Sequence, residues 1–311
     1  MLASFFSTVL GSLLSVCVTC LLAFSVTIIF KTSTTANFAQ SSISAFGCYL
    51  VAWMFNTVGL PVWIGAPVGM IFGALTGLGI DYFIFRRGRN VNVLSKQIIT
   101  MGFVSVIIGA IPLIFGNPEK IPFEPLYHFV KYGQSPNIVL QVAGGEIVVT
   151  KHALISLAVT AVVLGLIFAL LKFSKWGLSV RATASHEYTA ELMGINTMKV
   201  TAISWGLASA LGVLSAVMYA GSGVSITPTF MATVQVNAFL ACILGGFGTF
   251  YGPIVGAILI PILANVVGFL ANIPGWEPVA KWQMVIVYSL LLLVILGKPN
   301  GLFGKKTVKK V

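Results

Sequence analysis

The sequence predicts an all-α, polytopic membrane protein with about eight or nine membrane segments, some of them broken or re-entrant. Three observations carry this expectation. Of the 311 residues, 58% belong to the hydrophobic set and 8% are charged, against about 25% charged in a soluble domain. The apolar residues run in continuous blocks of helix-spanning length, without the short alternating strands of a β-barrel. The basic residues are also unevenly placed. If Leu171 ends a crossing at the cytoplasm, 14 of the 18 Lys and Arg fall in inside loops. This positive-inside pattern puts the carboxyl terminus in the cytoplasm and assigns the net charge of +11 to topology rather than to nucleic-acid binding.

Residues 5–30 form the first apolar block. Without a basic leading region, and with its first charge at Lys31, it reads as a retained helix rather than a cleaved signal. Cys17 and Cys20 have C-x-x-C spacing inside this block but no second ligand pair, so helix packing is expected and a metal is not. The polar stretch from Lys31 to Ser42 is either a cytoplasmic link or a break facing protein interior, because irregular backbone at membrane depth needs protein or a wet cavity around it. A second segment, 43–58, turns at Gly59 to Pro61.

The third segment, 62–85, repeats glycine at Gly65, Gly69, Gly73 and Gly77. Small residues four apart share one helical face and admit another helix closely, inside the subunit or from a second one. Asp81 lies near the inner end beside Arg86 and Arg87, as an interfacial acid or a passage residue. A fourth segment covers 98–115. Residues 116–150, with Pro118, Pro122, Pro125 and Pro136, form an extracytoplasmic region able to hold a short helix or hairpin. His128 and His152 show no metal-ligand spacing.

Residues 172–199 are a polar interval between two apolar blocks, His152 to Leu171 and Val200 to Ala220. Tied down at both ends, this loop is the clearest contact surface for a soluble partner. Ala190, Leu192, Met193 and Ile195 beside Glu187 and Glu191 suggest one short amphipathic helix ending at Gly194. Farther on, residues 221–230 open an outer turn, and the block 235–270 is interrupted at 244–253 by glycines and Pro253. That insert is a tight turn between two crossings or a re-entrant hairpin. Residues 281–297 lead to a basic tail.

No enzyme chemistry is visible. The apolar blocks hold no central carboxylate apart from the marginal Asp81, and no phosphate-binding G-x-x-x-x-G-K-S/T occurs. Broken helices with backbone ligands leave an ion-coupled secondary carrier or channel for small polar solutes as the alternative function.

Two motifs, R-A-T-A-S-H-E-Y-T-A-E-L-M-G-I-N at Arg181 to Asn196 and L-G-G-F-G-T-F-Y-G-P-I-V-G-A at Leu244 to Ala257, closely resemble the permease subunits of branched-chain amino-acid ATP-binding-cassette importers. Asn37-Phe38-Ala39 is similar to that family's N-F-A-H-G-E/D motif, although Gln40-Ser41-Ser42 stand where it has His, Gly and an acid. The resemblance implies one transmembrane permease domain over residues 1–311 in a bacterial inner membrane. It implies pairing with a related permease subunit, two cytoplasmic ATP-binding subunits that use the ATP, and an extracytoplasmic substrate-binding protein. It places ATPase coupling in the 172–199 loop at Glu187, Ala190 and Gly194. The cargo it implies is a branched-chain or related amino acid. Asn37, Gln40, Thr227, Pro228, Gly245 and Gly246 are the nominated passage residues, since amides and open glycine backbone can meet a zwitterion.

Overall fold

The computed structural model describes residues 2–86, 92–116, 137–142 and 145–304. The described helices are α1 (Leu2–Gly11), α2 (Leu13–Ser33), α3 (Gln40–Trp53), α4 (Val62–Ile80), α5 (Val93–Phe115), α6 (Lys151–Phe173), α7 (Lys175–Ser185), α8 (Glu187–Leu192), α9 (Thr197–Ala220), α10 (Ala232–Gly245), α11 (Gly252–Leu270) and α12 (Val279–Gly297). Short π-helical turns extend α3 through Val58 and α4 through Phe85. Seven helices are long and apolar enough to cross a membrane, counting α1 with α2 as one. At 14 residues each, α3 and α10 are shorter than the ~20 of a full crossing.

The body is therefore helical and polytopic. The one departure among the described residues is an antiparallel hairpin of β1 (Asn137–Val142) and β2 (Gly145–Thr150), paired from Asn137↔Thr150 to Val142↔Gly145. Most of 116–136, with its prolines and His128, lies outside the described residues, as do Arg87, Arg89 and the tail beyond Gly304.

Helix α9 is the centre, with α2, α3 and α4 packed around it. Its buried residues include many small ones, among them Ala208, Ser209, Gly212, Ser215 and Ala216, with Trp205, Leu211 and Met218 as large anchors. Lipid is as apolar as leucine, so segregating leucine inward gains little; close packing of small residues decides which face turns in. The outer helices show the converse. Helix α5 buries Thr100, Ile107 and Ile111 and turns Leu94, Ile98, Val106 and Leu113 outward.

Gly65 and Gly69 face Val51 of α3, while Gly73 and Gly77 face α9. A Cβ on Gly77 would stand 2.6 Å from the Trp205 carbonyl oxygen, and one on Gly73 would stand 3.2 Å from that of Ser209. The partner of this glycine face is thus internal, shared between two helices of the same chain.

The first block is interrupted at Ser12, whose hydroxyl turns back to donate to the Val9 carbonyl (2.6 Å). Helix α1 then packs on β2 and α11: the Val148 amide donates to Ser7 Oγ (3.4 Å), and Asn265 Nδ2 donates to the Thr8 carbonyl (3.4 Å). Helices α2 and α9 run antiparallel, joined by Ser215 Oγ to the Val18 carbonyl (2.8 Å) and Thr201 Oγ1 to the Thr32 carbonyl (3.3 Å).

Candidate functional site

The polar stretch after α2 is buried, so it is the protein-facing break and not an exposed link. Thr34, at φ 52°, ends α2 in the left-handed region and turns the chain inward. Thr35, Asn37 and Gln40 are fully buried. Asn37 Oδ1 accepts from the Ala39 amide (3.0 Å), starting the turn into α3, and Asn37 Nδ2 donates to Gln40 Oε1 (3.0 Å). Gln40 Nε2 donates to the Ala208 carbonyl in mid-α9 (2.8 Å).

A third amide, which the sequence reading missed, closes the cluster. Gln235 of α10 accepts from the Ser41 amide (2.5 Å) and donates to the Asn37 carbonyl (3.0 Å). The Phe38 amide donates to Thr100 Oγ1 of α5 (3.3 Å). Side chains of the break itself, of α5 and of α10 thus satisfy the backbone that the break leaves open. A lone glutamine inside an apolar run was the only available signal for Gln235, and it carries no partner.

The other nominated passage residues lie elsewhere along α10. Thr227 is exposed and Pro228 half-buried, in the segment from α9 to α10. Neighbouring Ile226 is buried, and its carbonyl accepts from Tyr49 Oη (3.0 Å). Gly245 and Gly246 are buried at the opposite end of α10, about 20 Å away by helix rise. The structure therefore gathers Asn37 and Gln40 and separates them from both other pairs.

Gly245 allows α10 to pass against the start of α11: a Cβ there would lie 2.6 Å from the Pro253 nitrogen. Gly246, at φ 87°, lies against the segment after α12, 2.7 Å from the Asn300 carbonyl oxygen when a Cβ is added. That segment returns to cap α10. The Leu302 amide donates to the Leu244 carbonyl (2.7 Å) and the Phe303 amide to that of Gly245 (3.2 Å). Lys31 Nζ donates to the Gly248 carbonyl in the same turn (2.7 Å). From sequence, the residues after 297 read only as the start of a basic tail, with no sign of this docking.

The loop between α6 and α9 contains two helices where one was expected. His186, in extended conformation, separates α7 from α8. Gly177 lets α7 pass beneath the end of α6, where Arg181 Nη1 donates to the Leu171 carbonyl. Glu187 is exposed, Ala190 is buried, and Gly194 holds φ 83° with open space around it. The Gly194 amide donates to the Glu191 carbonyl (2.9 Å) and that of Ile195 to Ala190 (3.0 Å), closing the turn. The apolar residues expected on one face divide: Ala190 packs inward, while Leu192 and Met193 project outward with Tyr188, at 70%, 79% and 74% exposure.

Asp81 is 2% exposed and so does not snorkel to water; Arg86 Nε reaches its Oδ2 at 3.5 Å. The four cysteines are free and buried. Among the described residues no group of three or more His, Cys, Asp or Glu could hold a metal ion.

Several apolar helices, breaks held by buried amides and a structured polar loop between two spans define a polytopic transport protein of the membrane. Residues 8–295 match the family described as "Branched-chain amino acid transport system / permease component", and the chain belongs to that family. It is similar to the high-affinity branched-chain amino acid transport system permease protein BraD of Pseudomonas aeruginosa, at 27% identity over 87% of this chain and 84% of that one. A probable branched-chain amino acid transport permease protein LivH of Methanocaldococcus jannaschii is 24% identical over 86% of this chain and 82% of its own. The ribose import permease protein RbsC of Haemophilus influenzae is 21% identical over 80% and 72%. No solved structure matches. The chain is thus a membrane permease component of an ATP-binding-cassette importer of the branched-chain amino-acid type, and not an enzyme.

Proposed function

We propose that this permease imports a branched-chain or related amino acid and is driven through α8 by two cytoplasmic ATP-binding subunits. The observation that carries the coupling role is the apolar tip of Tyr188, Leu192 and Met193, exposed on a loop held at both ends by spanning helices. Three large apolar side chains on a polar loop favour burial by a partner. Gly194 lets the tip turn sharply, Glu187 borders it, and buried Ala190 seats it on the permease. A docked ATPase would therefore move α8 together with α7 and α9.

The remaining partners in this reading are a related permease subunit and an extracytoplasmic binding protein. The bacterial inner membrane holds one domain, residues 1–311, with nine crossings. Here α3 with its π-helical extension and α10 with the preceding segment supply the two crossings beyond the seven long helices. The carboxyl terminus and residues 172–199 face the cytoplasm, and residues 116–150 face outward, as the basic residues argue. The passage runs along α10, from Thr227 and Pro228, past the Asn37 and Gln40 cluster, to Gly245 and Gly246. In the present conformation these amides bond to protein, so opening requires them to exchange partners.

The test is co-purification of the ATP-binding subunits with a Leu192→Asp, Met193→Asp permease. The expected result is loss of the ATP-binding subunits and about tenfold or greater loss of ATP-driven uptake, with the permease still monodisperse. Normal co-purification and uptake would contradict the role of α8.

A further inference from the structure

A cleft opens where α2 ends, α4 enters its π-helical turn, α5 begins, and α8 and α9 start. The cleft is open at its mouth, and the about 480 Å³ of empty space at it includes that open solvent. In a chain with 8% charged residues, its wall carries both signs: Asp81 and Glu187, Arg86 and Lys96, with Thr32 and Thr201.

These charges are incompletely satisfied. Asp81 is buried, and its Oδ2 lacks a hydrogen bond among the described residues, with Arg86 at ion-pair distance only. That pair is the one ion pair within 4.0 Å among the described residues, so Lys96 and Glu187 line the cleft without joining each other. Thr32 and Thr201 donate to the carbonyls of Ile28 (3.0 Å) and Thr32 (3.3 Å), leaving their oxygens free to accept. With Asp81 and Arg86 already at ion-pair distance, a simple anion would meet Lys96 and leave Glu187 unpaired, and a simple cation would do the reverse. A small molecule carrying both charges answers both.

We propose that this cleft is a cytoplasm-facing site for a free zwitterionic amino acid, which places its carboxylate toward Lys96 and Arg86 and its ammonium toward Asp81 and Glu187. Glu187 begins α8, so a ligand bridging it to α5 and to the end of α4 pins the coupling helix. Amino acid that accumulates inside then slows its own import. This rests on the importer reading above.

Binding is tested on the full chain alone in lipid nanodiscs, with radiolabelled L-leucine and L-alanine. The site predicts saturable binding of one molecule per chain, competed by unlabelled amino acid but poorly by isoamylamine or 4-methylpentanoate, which each carry one charge. Lys96→Gln and Asp81→Asn should each weaken binding roughly tenfold or more; if Asp81→Asn fails to fold, Lys96→Gln decides. Absence of saturable binding, unchanged affinity in the variants, or equal competition by either singly charged analogue would overturn the proposal. In proteoliposomes of the whole transporter loaded with ATP, internal L-leucine should slow uptake by the native protein and slow Lys96→Gln less. ATP-driven uptake indifferent to internal amino acid would sink the site and leave the importer standing. If ATP-driven uptake is missing altogether, the importer reading fails, and the nanodisc measurement still decides the site.

Discussion

Gln235 shows what one buried amide does in a membrane protein. It satisfies a donor at Ser41 and an acceptor at Asn37, both on a backbone break that has no water to turn to. Hydrogen bonds between membrane helices are each worth only about 0.6 kcal/mol on average, but a buried group left unpaired costs about 1–3 kcal/mol. Gln235→Leu should therefore lower the thermal midpoint of the purified protein by several degrees, while Gln235→Glu, which keeps an acceptor, should lose less. Equal midpoints for the Gln235→Leu variant and the native chain would show that the break is satisfied without this amide. Glycines offer a matched comparison. A side chain at Gly77 meets the α9 backbone, whereas two residues on, Gly79 faces open space. Gly77→Val should destabilise strongly or abolish expression, and Gly79→Ala should be neutral or stabilise by up to ~1 kcal/mol, as read from detergent-unfolding curves. The four-residue spacing was legible because helical periodicity alone puts those glycines on one face. Their partners come from other helices, Val51 from the preceding α3 and Trp205 and Ser209 from distant α9, so the pattern within α4 could not name them.

Among the elements, the long apolar helices were readable to within a few residues because their lengths and charged flanks are local properties. The expected fifth block, His152 to Leu171, is α6 at Lys151–Phe173. Elements governed by tertiary contact were read less well. The 31–42 stretch admits two readings from sequence, since polarity marks it as unfit for lipid without saying what covers it. A short helix ending at Gly194 was expected, but α7 was not: its buried residues, Gly177, Val180 and Thr183, do not form a marked apolar stripe. The segment after α12 belongs here too. Leu302 and Phe303 supply amides to the last carbonyls of α10, and Gly301 and Gly246 meet through bare backbone, with a Cβ on Gly301 only 2.6 Å from Gly246 Cα. Gly301→Val should release this clip and expose the end of α10. The expected readout is faster amide exchange at Gly246, whose amide donates to Cys242. Unchanged exchange would mean that the clip adds nothing to local stability.

For the whole molecule, α9 with α2, α3 and α4 around it gives a centre rich in small residues, and the outer helices present leucine, isoleucine and valine outward. Part of that packing brings backbone close to backbone, as where Gly77 meets the Trp205 carbonyl. In the proposed coupling, movement imposed at α8 would pass into α9, which begins only a short turn farther on. Composition made the membrane class legible, and the transport function was implied by the resemblance of the motifs at Arg181 to Asn196 and Leu244 to Ala257. The nominated passage residues spread along α10, and Asn37 and Gln40 among them are bonded to the protein, a placement that no local sequence pattern carries. The central claim is that this chain moves its solute only as the ATP-driven component of a larger importer. The most direct test is uptake of labelled branched-chain amino acids into proteoliposomes holding the permease pair and ATP-binding subunits, with ATP and the binding protein each added or withheld. Uptake that needs both is the predicted result; equal flux from this chain alone, indifferent to ATP and responsive to an ion gradient, would contradict it.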